Sequence, residues 1–230
     1  MIKAVLFDLD NTLTDFMKMK RAACAAAVRA MVGAGLKLNQ KRALELLFKL
    51  YGRYGIEYGR IFQRFLERVG TKVDYRTLAA GIVAYRRAQG ALLKPYPHTA
   101  ETLAALRAAG LKLGIVSDAP RLKVWIRLCE LGLQHFFDIV VTAADVRAKK
   151  PSAAPFLFAL RALKMKADEV LMVGDIPARD IAGAKAAGLK SCLAAYGNNR
   201  SAGLKGPRAD YTIKTIAQLR GVIEAENSRR

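Results

Sequence analysis

The chain is poor in the residues that would place it in several common classes. Its three cysteines, Cys24, Cys129 and Cys192, are odd in number, widely spaced and set among apolar neighbours. That pattern excludes a disulfide framework and a clustered zinc site, and it predicts reduced thiols packed in a core. Long apolar runs are missing too. The first short one, Ala4 to Phe7, runs straight into Asp8, which suits neither a secretory leader nor a membrane helix, so a cytoplasmic protein with no membrane partner is expected. Acidic residues are scarce, with 19 Asp and Glu against 39 Lys and Arg, for a net charge of +20. Residues 15–94 hold seventeen basic and five acidic residues and so carry +12 of that charge. Such a surface steers anionic metabolites or grips nucleic acid non-specifically, and does either less well as salt rises. Few Asn and Gln beside many Lys and Arg also fit a thermophilic source.

What is present argues for a folded enzyme. With 53% hydrophobic residues in 230, the chain can bury a full core and carry an insertion. From Tyr96 onward short apolar runs recur at Leu111–Val116, Phe137–Val141, Val170–Val173, Ser191–Ala194 and Tyr211–Ile213. Between them lie amphipathic stretches of crossover-helix length at Thr99–Ala109, Arg121–Leu131, Ala153–Leu163 and Ala178–Ala187. The alternation predicts an α/β fold with a doubly wound parallel sheet. Residues 15–94 interrupt it with helical periodicity alone, as in Ala43, Leu46, Leu47 and Leu50, then Tyr58, Ile61, Phe62 and Phe65. They are expected to form an inserted unit of about four helices, leaving 1–14 and 95–230 as the α/β core. Tyr51, Tyr54 and Tyr58, with Arg53, Arg60 and Arg64, fit either the core of that unit or a substrate mouth.

Four polar motifs fall at the ends of four apolar runs. After Ala4–Phe7 come Asp8 and Asp10, two carboxylates one residue apart where parallel strands present ligands. Their repulsion calls for a divalent cation or a shared proton. A calcium loop starting at Asp8 fails on spacing, because Leu13 and Met19 stand where Gly and Glu are needed. After the second run stand Ser117 and Asp118, with a hydroxyl suited to an oxyanion or to a helix cap. The third is Lys149-Lys150-Pro151-Ser152. Pro151 is expected at the first helical position, with Lys150 turned inward and Lys149 at the surface. The fourth, Gly174-Asp175-Ile176-Pro177-Ala178-Arg179-Asp180, adds two carboxylates of the hard-oxygen kind magnesium prefers.

Taken together in this order, the four motifs resemble those of the haloacid dehalogenase superfamily, over essentially the whole chain. The resemblance implies a phosphatase in which Asp8 is the nucleophile that becomes an aspartyl-phosphate. Asp10 would protonate the leaving oxygen and then activate water. Ser117, with Asp118, and Lys150 would bind the phosphoryl group, while Asp8, the backbone carbonyl of Asp10 and Asp175 would hold one Mg2+ supported by Asp180. It also makes residues 15–94 a helical cap and a small phosphorylated metabolite the expected partner. Relatives that cleave carbon–halogen bonds replace the second Asp, which is kept here as Asp10. The superfamily's sugar phosphomutases use a cap histidine, and His98 and His135 both lie outside 15–94. A phosphomutase, or a basic nucleic-acid-binding protein on a phosphatase-like scaffold, is the alternative; the sequence carries no recognised nucleic-acid motif.

Overall fold

A computed structural model describes residues 1–70, 73–197 and 205–228. The chain divides into two compact units, one of Met1–Asp15 with Lys94–Arg230 and one of Phe16–Leu93. The first contains strand β1 (Ala4–Phe7) and, beyond the insertion, the remaining strands and the helices that alternate with them. The second holds α1 (Phe16–Gly33), α2 (Gln40–Tyr54), α3 (Ile61–Arg68) and α4 (Tyr75–Leu92). Among the described residues no helix is long and apolar enough to cross a membrane.

In the helical unit, α1 packs chiefly along α4. Cys24, Ala27, Val28 and Met31 of α1 share a core with Leu47 and Tyr51 of α2, Phe62 and Phe65 of α3, and Leu78 of α4. Side-chain oxygens start two of these helices. Asn39 accepts from the Lys41 and Arg42 N–H groups, and Asp74 from those of Arg76 and Thr77. Of the three tyrosines, Tyr51 is buried in that core and Tyr58 packs against it, whereas Tyr54 is exposed, stacks on Tyr58 with centroids 5.0 Å apart and has Arg53 and Arg64 over its ring.

The other unit continues with α5 (Thr99–Ala108), β2 (Lys112–Ser117), α6 (Arg121–Glu130), β3 (Ile139–Thr142), α7 (Ala143–Val146) and α8 (Ala154–Leu163). It ends with β4 (Val170–Gly174), α9 (Ala182–Ala186), β5 (Lys190–Ala194), β6 (Tyr211–Ile213) and α10 (Leu219–Ser228). All six strands are parallel in the order β3-β2-β1-β4-β5-β6. Both faces of the sheet are buried, which is why its strands read as continuous apolar runs. Val5 and Phe7 pack with Leu113 and Ile115 against α5, α6 and α10. Ala4 and Leu6 point the other way, toward Phe156, Leu160 and Ala184 of α8 and α9. The expected α/β core with an all-helical insertion is therefore the fold.

Three local expectations need correction. Pro151 does not open a helix: α8 begins at Ala154, with Pro155 in its first turn, and the Ser152 hydroxyl accepts the Ala154 N–H at 3.2 Å. A turn closed by Ser152 N–H donating to the Lys149 carbonyl occupies the intervening residues. The helix expected over Ala178–Ala187 starts instead as a wide π turn, Pro177–Ile181, before α9. The reason is a close approach, since a Cβ on Gly174 would lie 2.4 Å from the Asp180 Cβ, and Asp180 Oδ2 accepts the Ile176 N–H. Single π turns of this kind commonly mark functional sites. Finally, Cys129 is exposed, unlike Cys24 and Cys192. It sits on the outer stripe of α6 with Leu122, Trp125 and Ile126, while Val124, Arg127 and Leu128 face inward.

Asp138 fastens this sheet to α5, accepting from Arg107 Nη1 at 2.5 Å and from the Leu113 N–H at 2.8 Å. Burial raises its pKa, but these two donors outweigh it and hold the carboxyl below its ordinary value. A depressed carboxyl adds stability above its unfolded pKa of about 4 and loses it as pH falls through the lower folded value. Asp138→Ala is therefore expected to cost about 1–2 kcal/mol at pH 7. Urea titrations should find that gap closing in acid.

Candidate active site

The site is built at the carboxyl ends of the central strands. Strand β1 lies between β2 and β4, so the residues that follow these three strands converge by topology alone. Asp8 follows β1, its N–H donating to the Val173 carbonyl at 2.9 Å. A tight loop carries Asp10: Asn11 adopts a left-handed φ of 64° and donates its N–H to the Thr14 carbonyl at 2.7 Å. Ser117 ends β2, and Asp175 directly follows β4. Behind them Tyr196 and Gly197, just after β5, close in. Tyr196 donates its hydroxyl to the Thr12 carbonyl at 2.9 Å, and a Cβ on Gly197 would come within 2.5 Å of the Asp175 Cβ.

Lys150 is the hub. Its ammonium is fully buried and lies 2.6 Å from Asp8 Oδ1, 2.6 Å from Asp180 Oδ1 and 3.0 Å from the Val116 carbonyl. Lys149, by contrast, is exposed. Burial pulls the Lys150 pKa down, but Asp180 and Asp8 outweigh it and push it above its ordinary value. Asp8 is pushed up chiefly by burial, with repulsion from Asp180 added and attraction to Lys150 opposing. Asp175 is raised as well, by burial and then by Asp8 and Asp180. Three carboxylates around one lysine leave an excess of negative charge. Asp8, Asp175 and Asp180 each offer an oxygen, all within 4.8 Å of one another. The second Asp8 oxygen, Oδ2, is buried without a hydrogen-bond partner. A small hard cation fits that donor set and that deficit.

The remaining expected residues take distinct places. Asp10 is not part of the three-carboxylate cluster, and its Oδ2 accepts from Arg127 Nη1 at 2.8 Å. Its pKa is raised to about 6 by burial, with Arg127 opposing and Asp8 reinforcing. Ser117 is buried and its Oγ accepts the Ala119 N–H at 3.2 Å, which leaves its O–H to donate. Asp118 spends one carboxylate oxygen on the Lys150 N–H at 3.0 Å, tying the second motif's loop to the third's. Two functional candidates escaped the motif reading. Arg179, inside the fourth motif, lies 3.8 Å from Asp118 and has its charge favoured by Asp8, Asp180, Asp118 and Asp175 against the effect of burial. Arg127 sits among apolar residues of α6, and a charge within an inward-facing stripe was the one available signal.

Comparison with protein families matches residues 2–188 to the haloacid dehalogenase-like hydrolases. The chain belongs to that family. It is thus an enzyme of the hydrolase class, and its α/β parallel-sheet architecture is that of the family fold. Over 224 residues it is 35% identical to the glyceraldehyde 3-phosphate phosphatase of Methanocaldococcus jannaschii, covering 97% of this chain and 98% of that one. The glyceraldehyde 3-phosphate phosphatase of Methanopyrus kandleri is 40% identical over 191 residues, 82% of each chain. Among solved structures, a HAD phosphatase from Thermococcus onnurineus superposes with a TM-score of 0.69 at 29% identity, over 96% of this chain and 98% of that one.

Proposed function

We propose that this family member is a magnesium-dependent phosphomonoester phosphatase acting on a small phosphorylated metabolite through an aspartyl-phosphate on Asp8. The observation that carries the reading is the environment of Asp8. Lys150 anchors one of its oxygens at 2.6 Å, and the other is buried with no partner. A carboxylate so held is aimed, and its nearest neighbours are the charges a phosphoryl group needs. Lys150 offsets part of the repulsion between a phosphate dianion and an anionic nucleophile. The Ser117 hydroxyl is left to donate to a phosphoryl oxygen, and Asp118, whose carboxylate is committed to Lys150, would contribute its N–H.

Asp8 attacks phosphorus as the ester P–O bond breaks, and Asp10 delivers a proton to the departing oxygen. Asp10 then takes a proton from the water that cleaves the Asp8–phosphorus linkage. One carboxyl group serves both steps because its pKa, raised to about 6, lies near working pH. Asp8, Asp175 and the Asp10 backbone carbonyl would hold Mg2+, with Asp180 in support. When bound, the cation supplies charge neutralisation for the transferring phosphoryl group. Residues 15–94 take the role of a substrate-selecting cap. The names of the relatives support a three-carbon phosphate as the first substrate to try.

The test is phosphate release from a panel containing glyceraldehyde 3-phosphate, phosphoglycolate, hexose phosphates and nucleoside monophosphates, with and without magnesium. Magnesium-dependent turnover of at least one ester is expected, with the small phosphates favoured. Failure on every ester would sink the phosphatase reading.

A further inference from the structure

Helix α6 turns three residues inward, Val124, Arg127 and Leu128, and all three are buried. Two of them complete the core beside Phe7 and Ile115. The third is an arginine whose side chain is only 5% exposed. Burying a guanidinium is costly, and replacing a buried ion pair by apolar groups of similar volume is often neutral or stabilising. Stability alone is therefore a weak reason for an arginine here. Its Nη1 donates to Oδ2 of Asp10 at 2.8 Å. The other oxygen of Asp10, Oδ1, is buried and has no hydrogen-bond partner. The backbone around Asp10 is already fixed, by Asn11 N–H to the Thr14 carbonyl at 2.7 Å and Leu13 N–H to the Leu9 carbonyl at 3.0 Å. What the loop leaves undetermined is the rotation of the Asp10 carboxyl group.

We propose that Arg127 is a positioning residue that clamps Oδ2 of Asp10 and so presents Oδ1 for proton transfer. The proposal rests on the reading of Asp10 as the acid of the phosphatase reaction. As the Asp8–phosphorus bond forms and the ester P–O bond breaks, the leaving oxygen keeps the electron pair and receives the proton from Oδ1. Asp10 is then a carboxylate whose negative charge Arg127 faces. In the second step water forms a bond to phosphorus, Asp8 regains its oxygen's electron pair, and the proton returns to Oδ1. Arg127 makes the same contact throughout and exchanges no proton itself.

The consequence is selective. An alkoxide leaving group needs a proton, whereas nitrophenolate departs without one. Rapid-quench measurement of phosphoryl transfer to the enzyme, using sn-glycerol 3-phosphate and 4-nitrophenyl phosphate, separates the two demands. Arg127→Met is expected to slow transfer from the alkyl ester by about 10- to 100-fold, part of the usual contribution of general acid catalysis. Transfer from the nitrophenyl ester should change less than about threefold, and Arg127→Lys should recover part of the loss by restoring a cation. In Asp10→Asn/Arg127→Met, alkyl-ester transfer should be no slower than in Asp10→Asn alone, since a clamp on an absent acid does nothing. Equal losses on both esters, no loss on either, or a further loss in the double variant would overturn the proposal. If Arg127→Met does not fold, Arg127→Lys and the double variant, which leaves neither charge of the Arg127–Asp10 pair alone, decide the matter. If Asp10→Asn itself fails to distinguish the esters, the acid assignment has failed and the clamp falls with it.

Discussion

Asp8→Asn is expected to reduce phosphate release by at least about 10⁴-fold while leaving the metal-free protein as stable as the parent or more so. The two effects have separate causes. An amide does not attack phosphorus, so the covalent route is lost and the surrounding site has nothing to assist. The folded protein meanwhile disfavours the Asp8 charge, which burial and Asp180 both oppose. Removing that charge strands no partner, because Lys150 keeps Asp180 at 2.6 Å. Calorimetry of the apo proteins alongside phosphate-release assays checks both halves. A variant that retains more than a small percentage of activity would remove Asp8 from the role of nucleophile, and a collapsed variant would mean the Lys150 network depends on Asp8 more than its geometry implies.

Magnesium is expected to have the second large effect, on activity and on stability together. Chelation should abolish turnover, and added Mg2+ should restore it. At a hundredfold excess over Kd, binding to the native state alone adds about 2.7 kcal/mol. For a chain of this length that is roughly 5–10 °C in Tm. The physical source is the crowding of Asp8, Asp175 and Asp180, whose oxygens lie within 4.8 Å of one another. The gain should shrink in Asp175→Asn, whose charge the cluster also opposes and whose apo fold should therefore persist. A Tm indifferent to Mg2+ in the parent would mean that the native state does not bind the cation. A rise that Asp175→Asn leaves unchanged would exclude Asp175 as a ligand.

Much of the architecture was legible because it obeys short-range rules. A parallel sheet buried on both faces must be written as apolar runs, and Ala4–Phe7 and Tyr211–Ile213 are bounded where those runs stop. The four helices of residues 16–93 follow from apolar periodicity of 3.6. Where local signals compete, packing decides between them. Pro151 is acceptable at a helix start, yet the Ser152 turn takes the chain instead. The Ala178 helix had adequate propensity, but packing of Asp180 against Gly174 opened its first turn into a π turn.

The sequence by itself determined the order of the four polar motifs and the strand that each one follows. That information is local, since apolar periodicity marks the strands and polar residues at their carboxyl ends mark the rim. Only the tertiary structure decided how the charges pair. Lys150 and Asp8 are 142 residues apart, and Arg127 and Asp10 are separated by 117. The inward stripe of Val124, Arg127 and Leu128 marks the arginine as buried, but nothing local names the acid it meets. The choice is made when α6 docks on the sheet and the cost of burying a guanidinium favours its pairing with a carboxylate such as Asp10.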